Sequence, residues 1–514
     1  MNPSNSPIAL LGIMTDKSNT EEIIQKIQTL IEDYHKDLQP RYVATANVDF
    51  LVQANSCLSS DALNQELMHI LREAKIVTVD GMPLLWLSHL LGSPIKERVT
   101  GVDLVPKLAS ALSKKQQSLF LLGGNEKILK LCILYLQSLN PGIRITGALH
   151  PKIYTEGEIQ ESNDERDDLL AEQINRAAPD ILFINLGNPK QEIWFERMKH
   201  KLHVPVSIGV GGTFDLLTGT IPRAPEWMQK YGFEWLFRLY QEPKRLFSRY
   251  LRDLIKFPIL ALPVVIYHNL NRLFCHFFCK ENDQIHIRNN RLFISADQTV
   301  AAVPLPCRLN QLVAEELKKH LDDLFSQDAI ILDFKEVRYI DLEGLALLLM
   351  MWRRARWEKK QLLALDMSPG IKWLLRLHRI WDYISPYVCN TPREVLLRIS
   401  KSGNAPNFYD AIQQNHNKVV LSFFGRLDNQ LDFDAYIKKI HHILFQKECI
   451  LDMSYCTYID NLGISFLLKL KKNKPKLFTD LSLYNIPPAI ARQLRFAKVY
   501  DLFEILPDLN SVFE

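Results

Sequence analysis

The sequence predicts an α/β protein: a Rossmann-like parallel-sheet domain carrying a basic helical appendage, followed by two small α/β modules in tandem. Three observations predict it. Short aliphatic or β-branched runs alternate with amphipathic stretches between Arg41 and Pro205, a basic aromatic segment follows Trp235, and the rest of the chain repeats itself. At 514 residues the chain holds about three domains. Its 47% hydrophobic and 23% charged composition excludes a disordered, collagen-like or disulfide-scaffold protein. The 62 Lys and Arg against 58 Asp and Glu leave a formal charge of +4, so no nucleic-acid partner is expected.

The first domain spans 1–237. Its strands are expected around Tyr42–Thr45, Ile76–Val79, Ser118–Leu122, Ile181–Ile184 and Val204–Ile208. Polar or glycine-bearing turns follow several of them: Thr45-Ala-Asn47, Asp80-Gly81, Gly123-Gly-Asn125, Gly187-Asn-Pro-Lys-Gln191 and Gly209-Val-Gly-Gly-Thr213. Ligands of open α/β sheets collect at such carboxyl-terminal strand ends. Asp80 at a strand tip fits either a general base or the N-cap of the next helix. Gly209-Val-Gly-Gly212 fits either a cradle of backbone amides for phosphate or a tight turn, and it matches neither the phosphate-loop nor the dinucleotide signature.

The appendage spans 238–283. Between Arg238 and Lys256 lie six basic residues (238, 244, 245, 249, 252, 256) against two acidic ones. Arg245, Arg249, Arg252 and Lys256 step by four, three and four, one stripe on a helix beside an apolar face. The apolar stretch from Phe257 to Phe278 contains Pro258 and Pro263, which predicts a broken, shallow segment on a membrane surface instead of a span. The amino terminus lacks a basic, long-apolar leader, and the eight cysteines are scattered. The expectation is a cytoplasmic protein, peripheral on the inner face of the cell membrane.

In the remainder, Ile331-Leu-Asp-Phe-Lys-Glu-Val-Arg-Tyr-Ile-Asp-Leu-Glu-Gly-Leu345 returns as Ile450-Leu-Asp-Met-Ser-Tyr-Cys-Thr-Tyr-Ile-Asp-Asn-Leu-Gly-Ile464, an offset of 450 − 331 = 119. Two modules follow, 284–402 and 403–514. Each is expected to run strand, helix, buried strand, Asp-x-x-Gly turn, helix, strand, helix.

Nine ordered blocks in the first 255 residues carry a resemblance. They include Thr45-x-Asn47, Asp80-Gly81, Glu97-Arg-Val-x-Gly-x-Asp103, Gly187-x-Pro-Lys-Gln-Glu192, Gly209-Val-Gly-Gly-x-Phe-Asp215, Arg223-Ala-Pro225 and Glu234-Trp-Leu-x-Arg-Leu239. The chain resembles the WecG/TagA/CpsF glycosyltransferases. The resemblance implies inverting transfer of an N-acetylmannosamine-type sugar from a UDP donor to undecaprenyl-diphosphate-linked N-acetylglucosamine, in the making of cell-surface polysaccharide. Carried over residue by residue, it makes Asp80 the base. Thr45 and Asn47 orient substrate, Arg98 and Gln191 hold sugar or diphosphate, and Asp215 belongs to the same motif set. Arg238, Arg245 and Arg249 match appendage arginines that contact the lipid diphosphate. No Asp-x-Asp motif is present, and the reading calls for no metal and no cofactor.

The two repeats resemble STAS domains. Where regulated members carry a phosphorylatable Ser after the turn Asp, this chain has Leu342 and Asn461, so a serine switch is not expected. Their expected role is regulation or binding of a protein partner, against pairing only with each other or with the enzyme. A homo-oligomer is compatible with the sequence. The competing reading of the whole chain is a catalytically inactive, membrane-associated scaffold that presents the two modules.

Overall fold

The computed structural model describes residues 6–55, 62–153, 160–278, 293–294, 300–390, 394–395, 398, 408–414, 418–428, 433–434, 437, 448–472 and 481–506. The linkers expected near 283 and 403 lie outside them. A hairpin of β1 (Ile8–Leu10) and β2 (Ile13–Thr15) opens the chain. Then come β3 (Arg41–Ala46), β4 (Ile76–Val79), β5 (Ser118–Gly123), β6 (Arg144–Leu149), β7 (Ile181–Asn185) and β8 (Val206–Gly209). These six form one sheet in the order β4-β3-β8-β7-β5-β6, every pair parallel. All strands but the edge strand β6 are buried along their whole length, which is why they read as unbroken apolar runs. Because the sheet is parallel, Asn47, Asp80, Gly124 and Gly211 emerge from the same edge.

The helices start where short polar side chains can take up free amides. Asn47 caps Val48–Ala54, Thr100 caps Gly101–Lys114 and Asn125 caps Glu126–Leu139. Two of these caps, Asn47 and Asn125, stand within two residues of a strand end, so one residue type both ends the crossover and lines the ligand-binding edge.

The appendage departs from expectation. After the helix Glu234–Gln241, residues Pro243–Phe278 form one helix that continues through Pro258 and Pro263. Both prolines lie on its exposed side, so the carbonyls that lose their donors are not sealed in a core. The opposite side, with Leu246, Ala261, Val264 and His268, is buried and holds the helix together by packing.

Part of that packing comes from the first repeat. The His268 ring meets the Tyr339 hydroxyl at 3.2 Å, and the Tyr267 hydroxyl donates to the Gly370 carbonyl at 3.1 Å. The first repeat is a four-stranded parallel sheet of Val300–Pro304, Ala329–Asp333, Gln361–Leu365 and Val388–Cys389, in that order. The second has the hairpin Phe408–Gln414 and Lys418–Leu427, followed by parallel strands Glu448–Ile459, Ser482–Tyr484 and Glu504–Leu506.

The Asp-x-x-Gly turn has the same physical basis in both. Asp341 accepts from the Gly344 amide at 2.7 Å and from the Gln311 amide at 2.9 Å, and Asp460 accepts from the Gly463 amide at 2.8 Å. A Cβ on Gly344 or Gly463 would lie 2.3 Å from the carbonyl oxygen of Leu309 or Leu427. The aspartate caps the helix and the glycine admits a neighbouring backbone.

The cores differ. One continuous hydrophobic cluster joins β1, one face of the sheet, the appendage helix and the first repeat, including Leu10, Ile13, Val264, Leu345 and Leu348. The second repeat has its own, around Phe423, Ile459, Phe466 and Leu467. The helix Leu342–Trp357 is buried on nearly every side and lies against the hairpin β1–β2. The surface of the first Asp-x-x-Gly turn is therefore covered by the chain's own catalytic domain.

Gly344→Ala and Gly463→Ala are each expected to cost about 1–3 kcal/mol by overpacking. Gly463→Ala should lower only the thermal transition of the second repeat, and Gly344→Ala that of the remaining body. Differential scanning calorimetry of the full chain reads both, and a shift of one shared transition by both variants contradicts the separation of cores.

Candidate active site

Asp80 leaves β4 with its amide bonded to the Ala46 carbonyl at 2.7 Å, which fixes the strand tip beside β3. It keeps partial exposure, and the following helix Met82–Leu90 has Gly81 as its N-cap with no side-chain cap bond. Asp80 is thus not spent on capping. Protein encloses its carboxyl, and that desolvation pushes it up to about 7 against the pull of Arg98 and Arg238, with Glu234 and Asp103 adding to the rise. Arg98 comes from the segment after the Met82–Leu90 helix and Arg238 from the appendage, so two distant parts of the chain converge on one carboxylate.

Glu234 sets the spacing of these guanidiniums. Its two oxygens take Arg98 at 2.9 Å and Arg238 at 3.3 Å. Beside them Arg223 makes a two-pronged bond to Asp103, at 2.9 and 3.0 Å. The result is a cluster of three carboxylates and three guanidiniums around the end of β4. Sequence reasoning missed Glu234, Asp103 and Arg223 as a group, although each stands in one of the blocks that carry the resemblance.

Thr45 lies in β3 with its hydroxyl donated to the Gly209 carbonyl of β8 at 2.9 Å. Asn47 is half-buried next to Gly81 and accepts from the Phe50 amide at 3.2 Å. Gln191 is buried behind the glycine turn, accepting from the Gly211 amide at 2.9 Å and donating to Glu192 at 2.7 Å. Glu192 is pushed up to about 7 by burial, against hydrogen bonds from Gln191 and Tyr42. The two buried side chains thereby hold the turn 209–212 in place from behind. Asp215 sits in the short helix Thr213–Leu217, whose Phe214 amide is held by Asn185 at 3.0 Å.

The appendage arginines divide. Arg238 pairs with Glu234 and its charge lowers the Asp80 carboxyl, the Arg245 side chain lies outside those described, and Arg249 bonds to Asp49 at 3.0 Å. Asp49, in the first turn after Asn47, also takes Arg252, Gln53 at 2.7 Å and Asn188 at 3.3 Å. It is the anchor that fastens the appendage helix to the catalytic domain, and its only sequence signal is its place two residues after Asn47.

A parallel α/β sheet with a carboxylate and converging guanidiniums at its carboxyl edge is suited to an anionic ligand, and the family match makes the chain a glycosyltransferase. The chain belongs to the glycosyl transferase WecG/TagA/CpsF family, which it matches over residues 8–269. Residues 293–382 match the family described as Mlab, STAS domain, and residues 411–512 match the STAS domain. A Bacillus subtilis (strain 168) relative named N-acetylglucosaminyldiphosphoundecaprenol N-acetyl-beta-D-mannosaminyltransferase is 31% identical over 202 residues, 39% of this chain and 73% of that protein. A Staphylococcus aureus (strain MW2) protein of the same name is 24% identical over 243 residues, 47% of this chain and 88% of its own length. The unphosphorylated anti-sigma factor antagonist SpoIIAA aligns at 17% identity over 20% of this chain and 92% of its own, with a TM-score of 0.18.

Asp49→Ala is expected to loosen the appendage helix. Both guanidiniums keep some 36–40% exposure and can be rehydrated, so the cost is about 1–3 kcal/mol, below that of a sealed ion pair. Trypsin cleavage after Arg249 and Arg252 should quicken several-fold, and an unchanged cleavage rate contradicts the anchoring role.

Proposed function

We propose that this chain transfers an N-acetylmannosamine-type sugar from a UDP donor to a polyprenyl-diphosphate-linked N-acetylglucosamine, with inversion, at the cytoplasmic face of the membrane. The observation that carries the reading is the partly exposed Asp80 carboxyl at the end of β4, desolvated by the surrounding protein and drawn on by the charges of Arg98 and Arg238. The acceptor hydroxyl attacks the anomeric carbon, its proton passes to the Asp80 carboxylate, and the bond from that carbon to the diphosphate breaks. UDP departs with the electron pair, and the guanidiniums neutralise the charge that grows on it. Arg98 and Arg238 hold diphosphate, Thr45 and Asn47 line the acceptor side, and Gln191 acts through the 209–212 turn. Asp215 supports the helix after that turn, while Arg245 and Arg249 serve the lipid headgroup. The division of labour follows 1–237 for catalysis, 238–283 for the membrane, and 284–402 and 403–514 for regulation or partner binding.

The membrane part of the proposal has its own support. Among the described residues no helix is long and apolar enough to cross a bilayer. The appendage helix instead exposes Phe247, Leu251, Ile255, Ile259, Leu262 and Ile266, and the row continues to Phe274. From Phe247 to Phe274 the helix makes 27 rises of 1.5 Å, an apolar stripe about 40 Å long. Trp86 and Leu90 are also exposed, and the Asn269 amide bonds to the Leu90 carbonyl at 2.9 Å, which puts them beside the stripe. A stripe of this size with basic residues near one end suits the headgroup boundary of a bilayer.

Asp80→Asn is expected to reduce transfer by roughly 10²–10⁴-fold, measured as UDP release from UDP-N-acetylmannosamine with a short-chain polyprenyl-diphosphate acceptor. Equal release by variant and parent supports the scaffold reading instead. The base must be ionised, so kcat/KM in the parent should rise with pH through about 7 and level off above it. Leu251→Asp with Ile259→Asp, both on the exposed side, should abolish sedimentation with anionic phospholipid vesicles while circular dichroism stays unchanged. Undiminished sedimentation refutes the stripe as the contact. Deleting the helix is a poorer test, because Val264 and His268 belong to the core.

A further inference from the structure

Glu343 lies in the first Asp-x-x-Gly turn and is 4% exposed. Its carboxylate does not stay within its own module. One oxygen takes the Lys17 ammonium at 2.9 Å and the other takes the Ser93 hydroxyl at 2.8 Å. Both partners belong to the catalytic domain, and Lys17 is itself buried. The turn does not need this carboxylate. In the second repeat the corresponding position, 343 + 119 = 462, is Leu462, which is 53% exposed, while the capping bond of that turn is unchanged.

The two partners lead to the same place. Ser93 begins the segment that carries Arg98. At its far end the Val99 amide bonds to Val79, the residue before Asp80, at 3.0 Å, and the Val99 carbonyl accepts from Thr78 at 3.2 Å. Glu343 thus joins Ser88, whose carbonyl and hydroxyl take the Ser93 and Ile95 amides at 3.0 Å, in fixing the near end of a strap whose far end is fixed to β4. Lys17 stands three residues before Thr20, whose hydroxyl and amide donate to Glu97 at 2.8 and 3.2 Å, and Glu97 adjoins Arg98.

We propose that Glu343, supplied by the first STAS module, is a positioning residue for the glycosyl-transfer site: it tethers residues 93–99 so that Arg98 stands opposite Asp80. The inference rests on the reading of Arg98 as a substrate-holding residue. It makes the first module a working part of the transferase, and it leaves the second module's turn as the one open to other contacts.

The test is steady-state kinetics of the full chain with UDP-N-acetylmannosamine and a short-chain polyprenyl-diphosphate N-acetylglucosamine. Arg98→Ala identifies the substrate whose KM depends on that guanidinium. Ser93→Ala and Glu343→Gln should raise the same KM about tenfold with kcat within twofold, because a displaced guanidinium weakens binding before it affects the chemical step. Ser93→Thr, which keeps the hydroxyl, should restore it. In an Arg98→Ala background, Ser93→Ala should add nothing further. A merely structural contact instead lowers the active fraction, and with it kcat, at constant KM. If Glu343→Gln does not fold, Ser93→Ala decides, since it leaves the Lys17 pair intact. Parental KM in folded Ser93→Ala, or an undiminished effect without Arg98, overturns the proposal. Full transfer by Asp80→Asn overturns the underlying site reading instead.

Discussion

A carboxylate partly desolvated by protein and set among guanidiniums from two remote segments is the constraint around which this chain is arranged. Desolvation is the main cause that raises the Asp80 carboxyl, Glu234 and Asp103 add to it, and Arg98 and Arg238 restrain the rise, so that it comes to rest at about 7. Either influence by itself gives a poorer base: an exposed aspartate binds protons too weakly, and a sealed one without positive neighbours is never ionised. The balance has a structural cost. Guanidiniums gathered beside one another need partners of their own, and Glu234 meets this by dividing its two oxygens between Arg98 and Arg238. In the proposed reaction Glu234 and an anionic diphosphate would compete for the same donors, and this carboxylate would act as a placeholder for the ligand.

Holding Arg238 in place requires the appendage to be docked, and the docking explains the long helix. An interior proline costs about 3 kcal/mol, close to what one fully buried aliphatic side chain contributes. Pro258 and Pro263 face outward, while Leu246, Ala261 and Val264 are buried along the docked side. Packing wins and the helix runs on. Asp49 at one end and the first repeat at the other clamp it, so its only free side is the apolar stripe.

The sheet and the two repeats were legible because their signals are local. A parallel strand buried on both faces reads as an apolar run, and a turn that needs a cap and a bare glycine repeats as Asp-x-x-Gly. Asp80 stood out because it follows a strand directly, and Thr45, Asn47 and Gln191 because they stand in strand-end blocks that carry the family resemblance. What escaped notice depends on distance in the chain. Asp49 resembles any first-turn acid, and nothing in its neighbourhood shows Arg249 and Arg252 two hundred residues away. The uninterrupted appendage helix was misread because proline's local penalty is visible in sequence and the tertiary packing that offsets it is not. Gln191 was expected to face substrate, and its full engagement with Gly211 and Glu192 follows from a crossing of two loops that no spacing reveals.

The divergence of the repeats shows how one turn serves two ends. Asp and Gly are fixed by backbone needs common to both copies, which leaves the two residues between them free to vary. In the first copy they are Leu342 and Glu343, and the helix behind them is apolar on every side from Leu345 to Trp352, where two domains enclose it, before it ends in Arg353, Arg354 and Arg356. In the second, Asn461, Leu462, Ser465 and Lys469 line an exposed face, and only the opposite side is buried. A buried carboxylate is tolerable only where polar partners await it, and those of Glu343 are Lys17 and Ser93 of the first domain, so Glu343 has a physical justification only if the first copy stays docked. Leu462 carries no such demand. The two copies therefore differ in the permanence of their contacts: charge complementarity inside a shared core binds the first to the enzyme, and the second keeps a separate core with its turn uncovered.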